Sequence, residues 1–432
     1  MIDYAAHLSR AARALRESAI RRAGDVGLAN PDLVSLAPGF PDPSVFPWAE
    51  IRAFAQELLT GSDGAVLQYG HTRGYRPLIE ALPGLLDRRG IRATPPELMI
   101  TTGSQQALDL CARVFLEPGA VALVELPAYA GALTAFGNIE ARLAGVRQDA
   151  DGIDLNDLEA VARRESAEGR RLAFVYVIPN FQNPTGLLMS RDRRLRLLEW
   201  AARRQVLIVE DDPYGALYFE DAATPEDTRP IKADDTDGLV VYLSSFSKTV
   251  APGLRVAWIT APAPLAAKLE LAKQSADLCT GGLDQRLVYE LLKRGTLDRR
   301  LPMLRESYGR KRSAMERALR RELGDLVSWP APKGGFFLWA TFGRGINTEA
   351  LLSRALAGGV MFVPGRAFFV DGSGASQARL AFSAPSVPQI ELGVTRLAAA
   401  VRAILADPGS APGPASGSAA APSAPPRART SG

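Results

Sequence analysis

The chain has 432 residues and a formal net charge of +4 at neutral pH, with 47% hydrophobic and 23% charged residues; that is length for more than one domain, an ordinary globular balance, and too mild a charge for a nucleic-acid partner. No apolar run reaches the ~18 residues of a membrane span. Two cysteines, Cys111 and Cys279, and two histidines, His7 and His71, exclude a disulfide framework, an HExxH zinc site and a credible Ser-His-Asp triad, so no metal is expected and the default setting is reducing and cytoplasmic.

The first segment, residues 1–30, is Arg-rich like a transit peptide. It also carries Asp3, Glu17 and Asp25 and lacks the apolar core of a secretory signal. Leu8, Ala12, Leu15 and Ala19 fall on one helical face, which predicts a helical arm packed on the body or on a partner subunit. From about 97 to 260 short apolar runs alternate with helical stretches: "ELMIT", "VALVEL", "LAFVYVI", "VLIVE", "LVVYL" and "LRVAWI", with "SQQALDLCARVFL" and "RDRRLRLLEWAARR" between them. Continuous apolar runs predict strands covered on both faces, hence a mostly parallel sheet in a large α/β domain over 49–285. Beyond 285 come long charged helices such as "MLRESYGRKRSAMERALRREL", then the strand-like pieces "GGFFLWATF", "GVMFVPG" and "ARLAFSA". These predict a smaller α+β domain over 286–405, joined by 31–48. Residues 406–432 are rich in Pro, Gly, Ala and Ser and predict disorder.

Each polar cluster follows the end of one predicted strand. "TGSQQ" follows the first, "PAY" the second, "PNFQNPTG" the third, "DDPY" the fourth and "SSFSK" the fifth. In an open parallel sheet those ends share one edge, where ligands bind. Ser104, Tyr129, Asn183, Asp211 or Asp212, Tyr214, Ser245 and Lys248 should therefore converge.

The cluster has a readable chemistry. A strand–glycine–helix turn at "TTGSQQALDL" offers free helix N–H groups to a phosphate, with Ser104, Gln105, Ser245, Ser247 and Arg255 as further donors. Lys248 is an amine able to form a Schiff base if desolvated or set near another cation. A crevice carboxylate would keep a ring nitrogen protonated. Phosphate cradle, amine and carboxylate together describe pyridoxal 5′-phosphate. "SFSK" also fits the S-x-x-K pattern of penicillin-recognising enzymes, but the S-D-N and K-T-G that should accompany it do not occur.

The ordered set "TGSQQA", "PAY", "NPTG", "DDPY", "SFSK" with an arginine seven on, "PKGGFFLW" and "RLAFS" resembles the fold type I, class I/II pyridoxal-phosphate-dependent aminotransferases over about residues 33–400. Its details look like the branch with 2-aminoadipate, kynurenine and aromatic or branched-chain aminotransferases, which also supplies the effector domain of MocR-type regulators. The resemblance implies that Lys248 is the Schiff-base lysine and proton carrier. It implies Asp211 as the ring-nitrogen partner, Tyr214 and Asn183 on the phenolic oxygen, and Tyr129 against the ring. Ser104, Gln105, Ser245, Ser247 and Arg255 would hold the phosphate, and Tyr69 would reach the phosphate of the neighbouring subunit in a homodimer. Arg379 would clamp the substrate carboxylate with Asn183 assisting, and Gly39 would let backbone approach the substrate. The implied reaction is transamination from an amino acid to a 2-oxo acid such as 2-oxoglutarate. Rival readings are a β-lyase or decarboxylase on the same scaffold, and a non-catalytic ligand-sensing domain.

Overall fold

The computed structural model describes residues 2, 4–14, 32–61 and 63–406. The predicted tail and most of the N-terminal arm lie outside the described residues. Of the arm, a short helix Arg10–Ala14 is seen, with Arg10 paired to Glu140 at 2.6 Å.

After a short strand β1 (Val34–Ser35), eight segments among the described residues pair into one sheet. They are β2 (Leu98–Thr102), β3 (Val121–Leu126), β4 (Arg142–Asp149), β5 (Gly152–Ile153), β6 (Leu172–Val177), β7 (Leu207–Asp211), β8 (Val240–Ser245) and β9 (Val256–Thr260). Their spatial order is β2–β9–β8–β7–β6–β3–β4–β5. All six predicted runs are strands of this sheet. The run from β8 through β7, β6 and β3 to β4 is parallel. β9 runs against both of its neighbours, β2 and β8. β2 therefore points the same way as β8, and the five strands that precede the polar clusters share one direction.

Helices cover both faces, which is why the inner strands are largely apolar. Ala122, Val124, Phe174 and Tyr176 pack on one side with the helix Ser104–Phe115. Leu123, Val175, Val177 and Ile208 pack on the other with Leu158, Leu197 and Trp200. β4 was not predicted as a strand; its sequence RLAGVRQD alternates and leaves both arginines partly or fully exposed, as befits a strand near the sheet margin.

A second sheet has the order β10 (Val327–Ser328), β11 (Phe337–Phe342), β14 (Gln377–Ala381), β13 (Val363–Pro364), all antiparallel. β12 (Val360–Met361) pairs in parallel with β1, which ties residues 34–35 to this part of the chain. Tyr308, Met315 and Leu319 of the long helix Thr296–Leu323 share a core with Phe336, Leu338, Leu380 and Leu397.

Candidate active site

The common direction of β2, β3, β6, β7 and β8 brings the predicted residues to one edge. At the end of β2, Gly103 adopts φ 80°, a region open mainly to glycine, and the helix Ser104–Phe115 starts directly after it. No side chain caps that helix, so its first N–H groups remain available. A Cβ at position 103 would sit 2.1 Å from Arg255 Nη2, which shows how closely Arg255 lies against the turn. Arg255 donates from Nη2 to Thr102 O at 3.5 Å. Opposite, Ser245 Oγ bonds Ser247 Oγ at 2.8 Å and accepts from Ser247 N at 2.9 Å. Tyr129 Oη donates to Gln105 Oε1 at 3.3 Å, and Gln105 Nε2 donates to Gly131 O at 2.9 Å. Hydroxyls, helix N–H groups and a guanidinium are the donor types that suit an anion.

Lys248 follows β8 on the connection to β9. Its Nζ donates to Gly39 O at 3.1 Å and lies 6.0 Å from the Tyr214 ring and 5.7 Å from the Phe336 ring. Burial, reinforced by the cations Arg379 and Arg255, lowers its pKa to about 8, while Asp211 pulls the other way.

The adjacent carboxylates at the end of β7 differ sharply. Asp212 accepts from Arg89 Nη2 at 3.0 Å, Asn180 Nδ2 at 2.9 Å, Gly215 N at 2.9 Å and Tyr242 Oη at 3.0 Å, so it is fully engaged in the framework. Asp211 accepts from Tyr176 Oη at 2.9 Å on Oδ2, and its Oδ1 is buried without a partner among the described residues. Burial pushes the Asp211 carboxyl up to about 7, the neighbouring Asp212 adding to the rise. An orphan oxygen in a dry site is an invitation to a cationic ring nitrogen. Pattern alone left Asp211 and Asp212 open; the contacts separate them.

Arg379, on β14, is 1% exposed. It donates to Asn183 Oδ1 at 2.8 Å and to Ala37 O at 2.7 Å, and its Nε is buried without a partner among the described residues. Phe337 and Phe368 flank its guanidinium at 4.4 and 5.0 Å. Burial brings its pKa down to about 10, so it remains a cation at neutral pH. Tyr214 is buried and hydrogen-bonded to Asn183, and burial raises its pKa. Gly39 faces Phe337; a Cβ there would meet the ring at 2.4 Å. The segment from Ala37 to Asp42 threads between these groups. Beyond its contacts to Arg379 and Lys248, Phe40 O accepts from Ser383 Oγ at 2.6 Å and Asp42 Oδ2 accepts from Lys311 Nζ at 2.6 Å. Tyr69, by contrast, stands 80% exposed.

Two contributors escaped sequence reasoning. Tyr176 was read only as part of an apolar strand, although a tyrosine hydroxyl in a strand covered on both faces must find a partner. Arg89, which holds Asp212, lies in a segment without any motif.

The family model for aminotransferase class I and II matches residues 32–397. An aromatic-amino-acid aminotransferase of Thermococcus litoralis is 40% identical over 93% of this chain and 95% of its own. A 2-aminoadipate transaminase of Thermus thermophilus is 42% identical over 87% of this chain and 92% of its own. Among solved structures, the kynurenine aminotransferase of Pyrococcus horikoshii, crystallised with PMP and kynurenine, aligns with a TM-score of 0.88 at 38% identity, covering 93% of this chain and 98% of that one.

Proposed function

This chain belongs to the class I and II aminotransferases and works with pyridoxal 5′-phosphate, and on that premise we propose that it moves the amino group of an aromatic amino acid or 2-aminoadipate, or of a branched-chain donor, to 2-oxoglutarate. The donor class rests on what the two relatives are named for and on the aromatic lining by Phe336 and Phe337 around Lys248 and Arg379. The observation that carries the assignment of roles is the unpartnered Oδ1 of buried Asp211 in the same site as a desolvated lysine.

The residues fit the cofactor. Asp211 would face its ring nitrogen, Tyr129 its ring, and Tyr214 with Asn183 its phenolic oxygen. Ser104, Gln105, Ser245, Ser247 and Arg255 would take its phosphate, and Lys248 its aldehyde. When bound, the cofactor supplies an electron sink for the pair left at the substrate Cα. Lys248 Nζ, neutral above about pH 8, accepts the proton leaving Cα. Arg379 orients the substrate through its α-carboxylate by two parallel bonds, with Asn183 completing the clamp. Phe337, in contact with both Gly39 and Arg379, keeps water from the clamp.

A panel of donors with 2-oxoglutarate tests the reading: glutamate should form with phenylalanine, tyrosine, kynurenine or 2-aminoadipate. No amino exchange with any common amino acid would refute it.

Asp211→Asn should lower kcat about 10²–10³-fold, since the amide cannot hold the ring nitrogen protonated. Asp212→Asn should instead lose about 3 kcal/mol of stability, because it leaves Arg89 without its carboxylate. Equal kinetic loss in both variants would remove the distinction.

We place Tyr69 in the site of a second copy. Tyr69→Ala and Lys248→Ala should each be impaired alone, yet mixing and re-equilibrating the two should restore roughly a quarter of the wild-type activity by random pairing into one intact site per mixed dimer. Activity that stays at the level of the separate variants would argue that each copy works alone.

A further inference from the structure

Behind the proposed anion cradle lies a charged network that none of the roles above uses. Lys273, on the helix Ala263–Ala276, has a fully buried side chain. Its Nζ donates to Asp277 Oδ1 at 2.6 Å, to Asp277 Oδ2 at 2.8 Å and to Gln106 Oε1 at 3.0 Å. Gln106 Oε1 in turn accepts from Thr102 N at 2.7 Å, and Asp277 Oδ2 accepts from Thr102 Oγ1 at 2.8 Å. Thr280 Oγ1 lies 3.0 Å from the same hydroxyl, and Arg255 Nη2 reaches Thr102 O at 3.5 Å. Thr102, the residue before Gly103, is therefore held at its N–H, its hydroxyl and its carbonyl.

Burying an ammonium is costly, and an apolar side chain of similar volume usually serves stability as well or better. What the ion pair supplies instead is geometry: Gln106, in the first turn of the helix Ser104–Phe115, and Asp277 meet at a single nitrogen, and both hold Thr102 at the end of β2. We propose that Lys273, through Asp277 and Gln106, is a positioning residue for the phosphate end of the cofactor. It fixes Thr102 and Gly103 so that the helix N–H groups and Arg255 converge on one dianion. This rests on the cofactor reading above.

The test uses the full chain freed of cofactor. Lys273→Met keeps the bulk and removes the donors. Its Kd for pyridoxal 5′-phosphate should rise about 10–100-fold, whereas its Kd for pyridoxal, which lacks the phosphate, should stay within about twofold. Thr102→Val, which keeps the strand and loses only the hydroxyl, should shift the same ratio by about 3–10-fold and serves if the first variant does not fold. An unchanged phosphate-dependent ratio in both folded variants overturns the inference, as does equal weakening of the two ligands. If the wild-type chain itself binds no pyridoxal 5′-phosphate, it is the cofactor reading that fails.

Discussion

Lys248→Ala will leave a folded, cofactor-binding protein whose kcat has fallen by at least about 10⁴-fold. In the roles proposed, one group is both the amine that holds the aldehyde and the base at Cα, so its loss removes two contributions together, and the base alone is commonly worth 10²–10⁴. Folding should be spared, because the lysine is a desolvated amine whose only side-chain hydrogen bond among the described residues is to Gly39 O. Lys248→Arg should be as inactive, since a guanidinium does not give up its proton. Added methylamine should recover part of the rate in the alanine variant only. The pH dependence carries a sign. The pKa of Lys248 lies below the usual lysine value, at about 8, so the competent neutral amine grows as pH rises to that point. The rate at which the cofactor-free chain takes up pyridoxal 5′-phosphate should climb about tenfold per pH unit and level off near 8. A rate indifferent to pH between 6 and 8, or an alanine variant within about tenfold of wild type, would remove Lys248 from its role.

Arg379→Ala should cost about 10³-fold in kcat/KM for the amino acid, and Arg379→Lys about 10–100-fold. The guanidinium is enclosed by Phe337 and Phe368 and already bonded to Asn183 Oδ1 and Ala37 O, so its fork is set before substrate arrives. A lysine would bring charge without the paired geometry. The decisive comparison is phenylalanine against phenethylamine, which lacks the carboxylate. In wild type the amino acid should be strongly preferred, and in the alanine variant the preference should shrink by about the factor that kcat/KM has lost. Equal loss on both compounds would mean that Arg379 supports the pocket and does not read the carboxylate.

Most of the candidate site was legible because strand ends in a parallel sheet share an edge, and the polar residues punctuate apolar runs that are easy to see. The limits have physical causes. An apolar run carries no direction, so the reversal of β9 was invisible in "LRVAWI". It does no harm to the expectation, since β2 lies beyond β9 and regains the common direction. Asp211 and Asp212 are chemically alike and point to opposite sides of the chain at a strand end. Only their partners tell them apart: Tyr176 for one, and Arg89, Asn180 and Tyr242 for the other. β4 was missed because half-exposed strands near a margin carry polar residues. Lys273 gave no signal, because its helix APLAAKLELAKQSA holds two other lysine or glutamate positions that look equally suited to solvent.

The thread from Ala37 to Asp42 touches Arg379, Lys248, Ser383 and Lys311 within six consecutive positions. Phe40 within it is 54% exposed, which makes this stretch open to a protease. A single cut after that phenylalanine would leave the carbonyls on Arg379 and Lys248 on one fragment and Asp42, which holds Lys311, on the other. Pro41 shields that bond from chymotrypsin, so a Pro41→Ala variant, unlike the wild-type chain, should be nicked there and fall silent well before it unfolds, and bound substrate analogue should slow the nicking.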